Sequence, residues 1–323
     1  MKTVISRFAL IFLFSTVYVG GCSKSDEESV YSPLPVDLSE PETFPFKVNL
    51  DSILQLEVIA PLPFPVSGKY NCAKPGLYRD SIFYNLGNAK SDFIVKSNVA
   101  PRSGKFFSWP MGLVIDSLTG SINVSASSPG YRYTVGYVKS GSRDTCLMDI
   151  VLAGASYKDQ IYVLGQSDTL AFPYFNGEPS GPSPCDTSDD NDYPEKKGKG
   201  NSKCEFDAED AAGRHGRANK KNVKVRTISG IINLKKTLEE GAFGSSAPSN
   251  GQSIVVPVYY KLNDRGAKAL QKINVQLLYF DRKEDIPVSL LSYMGRKRSR
   301  IDNRYIISPN GNPRPPLIVI TRS

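Results

Sequence analysis

Apolar residues recur at alternate positions along most of this chain, the period of strands with one face buried. Phe46, Val48 and Leu50, then Leu54, Leu56 and Val58, alternate with polar neighbours and predict one or two strands between Phe44 and Ile59. Pro61, Pro63 and Pro65 follow. A residue without an N–H cannot donate to a ladder, so this run is expected to be an extended edge or linker. Gly76 to Leu86 and Asp92 to Val99 carry short strand cores, S-I-F-Y and F-I-V. Tyr131, Tyr133, Val135 and Tyr137 share one face of a further strand, and Leu147 to Leu152 is apolar enough to be central. Strands are also predicted at Gln160 to Leu164, Thr169 to Phe175, Ile254 to Leu262, Ile273 to Phe280 and Leu317 to Ile320, with Pro257 marking an edge or bulge.

The most informative stretch is Met111 to Val124, M-G-L-V-I-D-S-L-T-G-S-I-N-V. Two apolar segments flank a D-S-L-T-G bend. Gly120 can take the positive φ that a tight turn requires, and the Asp116 carboxylate can accept hydrogen bonds from the turn backbone. Leu113, Ile115, Ile122 and Val124 would then point inward. A weaker echo follows at Arg226 to Leu234, where Ser229-Gly230 replaces Thr119-Gly120 and Ile232-Asn233-Leu234 replaces Ile122-Asn123-Val124.

Pro110, Gly112-Leu113, Ile115-Asp116, Thr119-Gly120 and Ile122 together resemble the repeat of bacterial Ig-like and cadherin-like domains, over about Gly76 to Gly154. Where that repeat usually continues with Gly-Thr-Pro, this chain has Val124-Ser125-Ala126. The resemblance implies an all-β chain with two Ig-like/cadherin-like β-sandwich domains. The first would span 44–154 and the second, degenerate one 155–323, carrying a polar insertion at 179–222.

Lys2 and Arg7 precede an apolar run from Phe8 to Val19, and Gly20 and Gly21 stand before Cys22. This is the layout of an export signal over 1–21. The run is shorter than the ~20 residues that a spanning helix needs. Val19-Gly20-Gly21-Cys22 resembles the lipobox of bacterial lipoproteins, which implies cleavage before Cys22, palmitate and related acyl chains on that cysteine, and anchoring to a membrane, with the outer membrane expected. Residues 22–43 are rich in Ser, Pro, Asp and Glu and are expected to form a spacer.

The remaining cysteines, Cys72, Cys146, Cys185 and Cys204, are even in number, which in an exported chain favours disulfides over metal sites. Cys185 and Cys204 flank one polar loop and form a natural pair. Cys72 with Cys146 would join the first and last strands of the first domain, although sequence leaves all three connectivities open. The formal charge of +8 is mild for 323 residues. Its basic clusters, Arg214 to Arg226 and Arg296 to Arg304, are not interleaved with aromatics, so a nucleic-acid partner is not expected.

The chemistry-bearing candidates are few. In C-D-T-S-D-D-N-D, the oxygen-bearing residues Asp186, Ser188, Asp190 and Asp192 alternate as in calcium loops, but Asn191 and Lys197 stand where an EF-hand has Gly and Glu. A solvated, disulfide-closed loop is the preferred reading, with Ca2+ as the alternative and no other cofactor expected. The single histidine, His215, lies in A-G-R-H-G-R, no serine has a G-x-S-x-G elbow, and there is no P-loop or G-x-G-x-x-G. The expectation is therefore a non-catalytic structural, adhesion or protein-interaction module. A glycan-binding lipoprotein is the alternative and would expose aromatics such as Trp109, Tyr131 or Tyr174, although the lone Trp109 is read first as a core residue. A hydrolase would need two facing carboxylates. Finally, Asp51-Ser52-Ile53, Asp80-Ser81-Ile82, Asp116-Ser117-Leu118 and Asp168-Thr169-Leu170 resemble the O-glycosylation triplet of Bacteroidota, which would place the lipoprotein in that lineage.

Overall fold

Alternation of apolar residues produces paired sheets with their cores between them, as the sequence predicts. The computed structural model describes residues 46–47, 76–88, 90–99, 104–141, 145–186, 204–207, 217–266, 268–298 and 315–323. All of these fall within one compact unit, Val36–Ser323. The signal segment, Cys22, the spacer, Cys72 and His215 lie outside the described residues, as do Asp51 to Ile53 and the three alternating prolines.

The first strand, β1 (Phe46–Lys47), pairs with a distant strand described below. The first half is then built from β2 (Ile82–Phe83), β3 (Ile94–Val95), β4 (Gly104–Trp109), β5 (Val114–Ile115), β6 (Ile122–Asn123), β7 (Arg132–Lys139) and β8 (Thr145–Leu152). One sheet runs β2-β8-β7-β4 and the other β3-β6-β5. Tyr133 and Val135 of β7 lie opposite Ile150 and Met148 of β8 and face the core, with Phe106, Ile122 and Leu152 beside them. Each such fully buried side chain contributes about 1.5–3 kcal/mol. The predicted strands at 76–86 and 92–99 contract to two residues each, and the rest of each segment is bend or irregular backbone.

The second half contains β9 (Ala155–Tyr157), β10 (Gln160–Val163), β11 (Leu170–Ala171), β12 (Pro173–Phe175), β13 (Glu205–Phe206), β14 (Ile232–Asn233), α1 (Leu234–Glu239), β15 (Gln252–Lys261), β16 (Gln271–Phe280), α2 (Val288–Arg298) and β17 (Leu317–Thr321). Its large sheet runs β1-β15-β16-β17-β10, with β13 also on β15, and short pairs β11-β14 and β9-β12 accompany it. The fold is all-β and sandwich-like, with α1 and α2 added among the described residues. β1 and β13 pair with opposite ends of β15, at Gln252–Ser253 and Tyr260–Lys261. Pro257 lies between those pairings, at a local edge where a missing N–H is tolerated.

Two helices lie among the described residues, neither of them predicted from the sequence. Leu234 opens α1 instead of extending a strand, because the Asn233 side chain turns back to accept the Lys236 N–H at 2.9 Å and caps the helix. In α2, Leu290 and Met294 are one helical turn apart and cover Leu278, Leu317 and Val319 on the outer face of the large sheet.

The two halves repeat one another at hydrogen-bond resolution. In the first turn, Asp116 N–H donates to Ser121 O at 2.9 Å, and Gly120 N–H donates to Asp116 O at 2.9 Å. In the second, Arg226 N–H donates to Ile231 O at 2.9 Å, and Gly230 N–H donates to Arg226 O at 3.1 Å. Phe106 N–H donates to Ser117 O, and Phe206 N–H to Thr227 O, each at 2.7 Å. The Tyr78 hydroxyl donates to Gly120 O and the Tyr157 hydroxyl to Gly230 O, each at 2.6 Å. The echo at Arg226 to Leu234 is thus the same turn built a second time.

The halves meet without a spacer between β8 and β9. Ala155 N–H donates to the Tyr260 hydroxyl at 3.1 Å, and Gln271 Nε2 donates to Ala153 O at 3.1 Å. A Cβ on Gly154 would lie 2.7 Å from Gly130 N and 2.8 Å from the Tyr260 hydroxyl, so this close crossing requires glycine.

Candidate functional site

Because the halves repeat, the places where the second is larger stand out. Residues 96–103 connect β3 to β4 in the first half, whereas residues 172–204, which include β12, connect β11 to β13 in the second. After the shared phenylalanine, residues 107–113 reach β5, whereas residues 207–224 reach the equivalent bridge of Val225 to Ile232. Both enlargements flank β13. The candidate site is the neck from which they leave.

The N-terminal side of this neck is covalent. Cys185 and Cys204 form a disulfide with a Cα–Cα distance of 5.2 Å, and both are buried in the second core. Cys204 precedes β13 directly, so the bridge ties the polar segment to the sheet. The predicted pair is present. Cys146 is also disulfide-bonded, and its expected partner Cys72 lies outside the described residues.

The C-terminal side is a buried polar clip. Asp207 occupies the position of Phe107 in the repeat, has φ +50° and is fully buried. Its Oδ1 accepts the Ala218 N–H at 2.7 Å. Its Oδ2 accepts the Asn219 N–H and the Asn219 amide, both at 2.9 Å. The Arg217 Nε–H donates to Asp207 O at 2.8 Å and lies 3.9 Å from Oδ2. Asn219 continues the network, donating to Val225 O and accepting the Val225 N–H. Burial pushes the Asp207 carboxyl up to about 6, against the opposing pull of the Asn219 and Ala218 N–H groups and Arg217. The clip joins Asp207 to Arg217, Ala218 and Asn219 across the intervening segment 208–216.

Sequence reading missed this clip, because the acid and the N–H groups that donate to it are separated by a polar stretch. The available signal was the repeat. Tyr78-Arg79-Asp80-Ser81-Ile82-Phe83 and Tyr157-Lys158-Asp159-Gln160-Ile161-Tyr162 share a Tyr-basic-Asp-x-Ile-aromatic pattern. With Phe106 and Phe206 it aligns the halves and isolates Asp207 as the odd residue.

The other candidates are placed as follows. Of the calcium set, Asp186 is exposed at the edge of the neck, while Ser188, Asp190 and Asp192 lie outside the described residues. Among the described residues no group of three or more His, Cys, Asp or Glu is arranged to hold a metal ion. Asp116 is a turn former: its Oδ1 accepts the Leu118 N–H at 2.9 Å and the Thr119 N–H at 2.6 Å, and the Thr119 bond leads in holding its carboxyl below the ordinary value. Ser81 and Ser117 of the Asp-hydroxyl triplets are exposed, and Thr169 is half-buried.

The aromatics that a glycan platform would use are turned inward. Trp109, Tyr131 and Tyr174 are all buried. Trp109 is buried, as the core reading expects. It lies opposite Thr134 of β7, on the face of β4 away from Phe106.

No family model matches the chain, and no curated protein does. Among solved structures it is similar to a SusE-like surface-located polysaccharide-binding protein from the heparin utilisation locus of Bacteroides thetaiotaomicron, with 9% identity and a TM-score of 0.19. That match covers 59% of this chain and spans 40% of the other's length. Among the described residues, no helix is long and apolar enough to cross a membrane.

Proposed function

We propose that this chain is a lipid-anchored, non-catalytic module of the bacterial cell envelope, held at Cys22 and meeting a protein partner through the polar insertion of its second half. The observation that supports this reading is the neck around β13. The enlargements concentrate on one strand, and each is tied down, one by Cys185–Cys204 and the other by the Asp207 clip. Fixing both ends of a polar segment on a sheet lowers the entropy lost on binding, which favours recognition by loops carried on a rigid scaffold. Glycan capture is the second reading, and its platform would have to use aromatics other than Trp109, Tyr131 and Tyr174.

The test uses the chain from Tyr31 onward beside a variant in which residues 188–201 are replaced by a Gly-Ser linker between the same cysteines. Both are presented to purified envelope proteins and to a glycan array. Retention of a protein partner by the parent chain, lost in the linker variant at unchanged Tm, is the expected result. Binding confined to glycans moves the assignment to the second reading, and turnover of a glycan removes the non-catalytic assignment altogether.

A further inference from the structure

In the first half, β2 pairs directly and in parallel with β8, with Ile82 opposite Val151. The corresponding strands of the second half, β10 and β16, do not pair. β17 lies between them, parallel to both, with Ile318 opposite Gln160 and Leu277 and Val319 opposite Ile161 and Leu278. A repeat of this kind therefore closes without a third strand, and the second half contains a slot that the first half lacks.

The slot is specific. All five residues of β17 are fully buried. Ile318 and Ile320 enter the core between the sheets, while Leu317 and Val319 fill the outer face beneath α2. Both ends are clipped. At the start, Leu317 N–H donates to Asp159 Oδ1 at 2.8 Å. At the far end, Arg322 Nε donates to the Tyr279 hydroxyl at 2.8 Å, Arg322 N–H donates to Asp281 O at 3.1 Å, and Gly165 N–H donates to Arg322 O at 2.8 Å. An occupant must supply apolar side chains on both faces of an extended strand, followed by a cation.

A parallel strand cannot follow its neighbour through a tight turn and reaches the sheet by a crossover. Its pairing with β10, more than 150 residues earlier in the chain, is among the most non-local contacts of the fold, and non-local pairings form slowly. A copy that has not yet closed presents an open slot. Because exchange of an identical element recreates every contact of the closed form, it is a low-cost route to association.

We propose that the slot between β10 and β16 is a strand-exchange site, and that its partner is residues 315–323 of a second copy of this chain. The fit to β17 on both faces and at both ends selects this partner over an unrelated protein. The proposal does not depend on what the polar insertion binds.

The test starts with the chain from Tyr31 onward and a copy of it ending at Arg314, each with a different tag. The two are mixed, carried through partial unfolding in urea and returned to buffer. The full-length copy is expected to retain the shortened one, and to retain it at least about tenfold less when it carries Val319→Asp. Absence of retention overturns the proposal, as does equal retention by the Val319→Asp copy. A labelled peptide spanning 315–323 gives an independent reading that does not require the donor chain to fold. Saturable binding to the shortened copy, weakened by Val319→Asp in the peptide, supports the slot; no binding overturns it.

Discussion

Asp207 concentrates the residue-scale physics of this protein. Burial raises its folded-state pKa to about 6, above the ~3.9 of an unfolded aspartate, so the folded chain holds the proton more tightly. Its favourable contribution is therefore complete below about pH 4 and is lost as pH rises through about 6. The difference amounts to about 3 kcal/mol across that window. Urea unfolding at pH 4 and pH 7 is expected to show this fall, and Asp207→Asn, which cannot titrate, is expected to flatten it. The substitution also turns an amide N–H toward the donors of Ala218 and Asn219, at a cost of about 1–3 kcal/mol. If the slope survives in Asp207→Asn, the titration belongs elsewhere, and Asp264, also raised by burial, is the next group to examine. The contrast with Asp116 is instructive. That side chain bonds to N–H groups two and three residues ahead, so its turn-forming role is visible in D-S-L-T-G itself. Asp207 finds its donors ten or more residues away, where no local pattern points to them.

At the scale of elements, the paired turns carry the most weight. Gly120 and Gly230 have φ of +68° and +72°, and a Cβ on either would lie 2.6 Å from a phenylalanine ring, Phe106 or Phe206. Backbone strain and overpacking therefore act together. Gly120→Ala and Gly230→Ala are each expected to destabilise the chain by about 2–4 kcal/mol, measured by urea denaturation beside Ser117→Ala, a near-neutral control at an exposed turn position. A loss of less than about 0.5 kcal/mol would mean that the ring moves aside freely. These turns were legible because glycine and aspartate act locally. The helices were not. Asn233 is the last residue of β14 and also the cap of α1, a second role that only its side-chain bond to Lys236 reveals, and the Leu290–Met294 face of α2 is short enough to escape a search tuned to alternation.

Across the whole molecule, the joint between the halves rests on a few polar contacts in an apolar setting. Tyr260 serves both halves, stacking on Phe206 with ring centroids 5.4 Å apart and accepting the Ala155 N–H through its hydroxyl. Tyr260→Phe keeps the ring but leaves that buried N–H unsatisfied. It is expected to cost about 1–3 kcal/mol and to accelerate hydrogen exchange at Ala155 above that of the β7–β8 amides. Uniform acceleration in both places would instead mean global loosening.

The division between sequence and tertiary structure follows from the range of the forces involved. Alternation determined that the chain is all-β, and turn chemistry determined where it bends, since both act within a few residues. The spacing of Cys185 and Cys204 around one polar loop likewise pointed to their bond before any fold was known. Which aromatics are covered was decided only in three dimensions, as Trp109 lies buried on the sheet face opposite Phe106. The same is true of the Asp207 clip and of β17 lying between β10 and β16. These features depend on side chains and strands brought together from distant parts of the chain, and their energies of burial and pairing exist only once the sheets have closed.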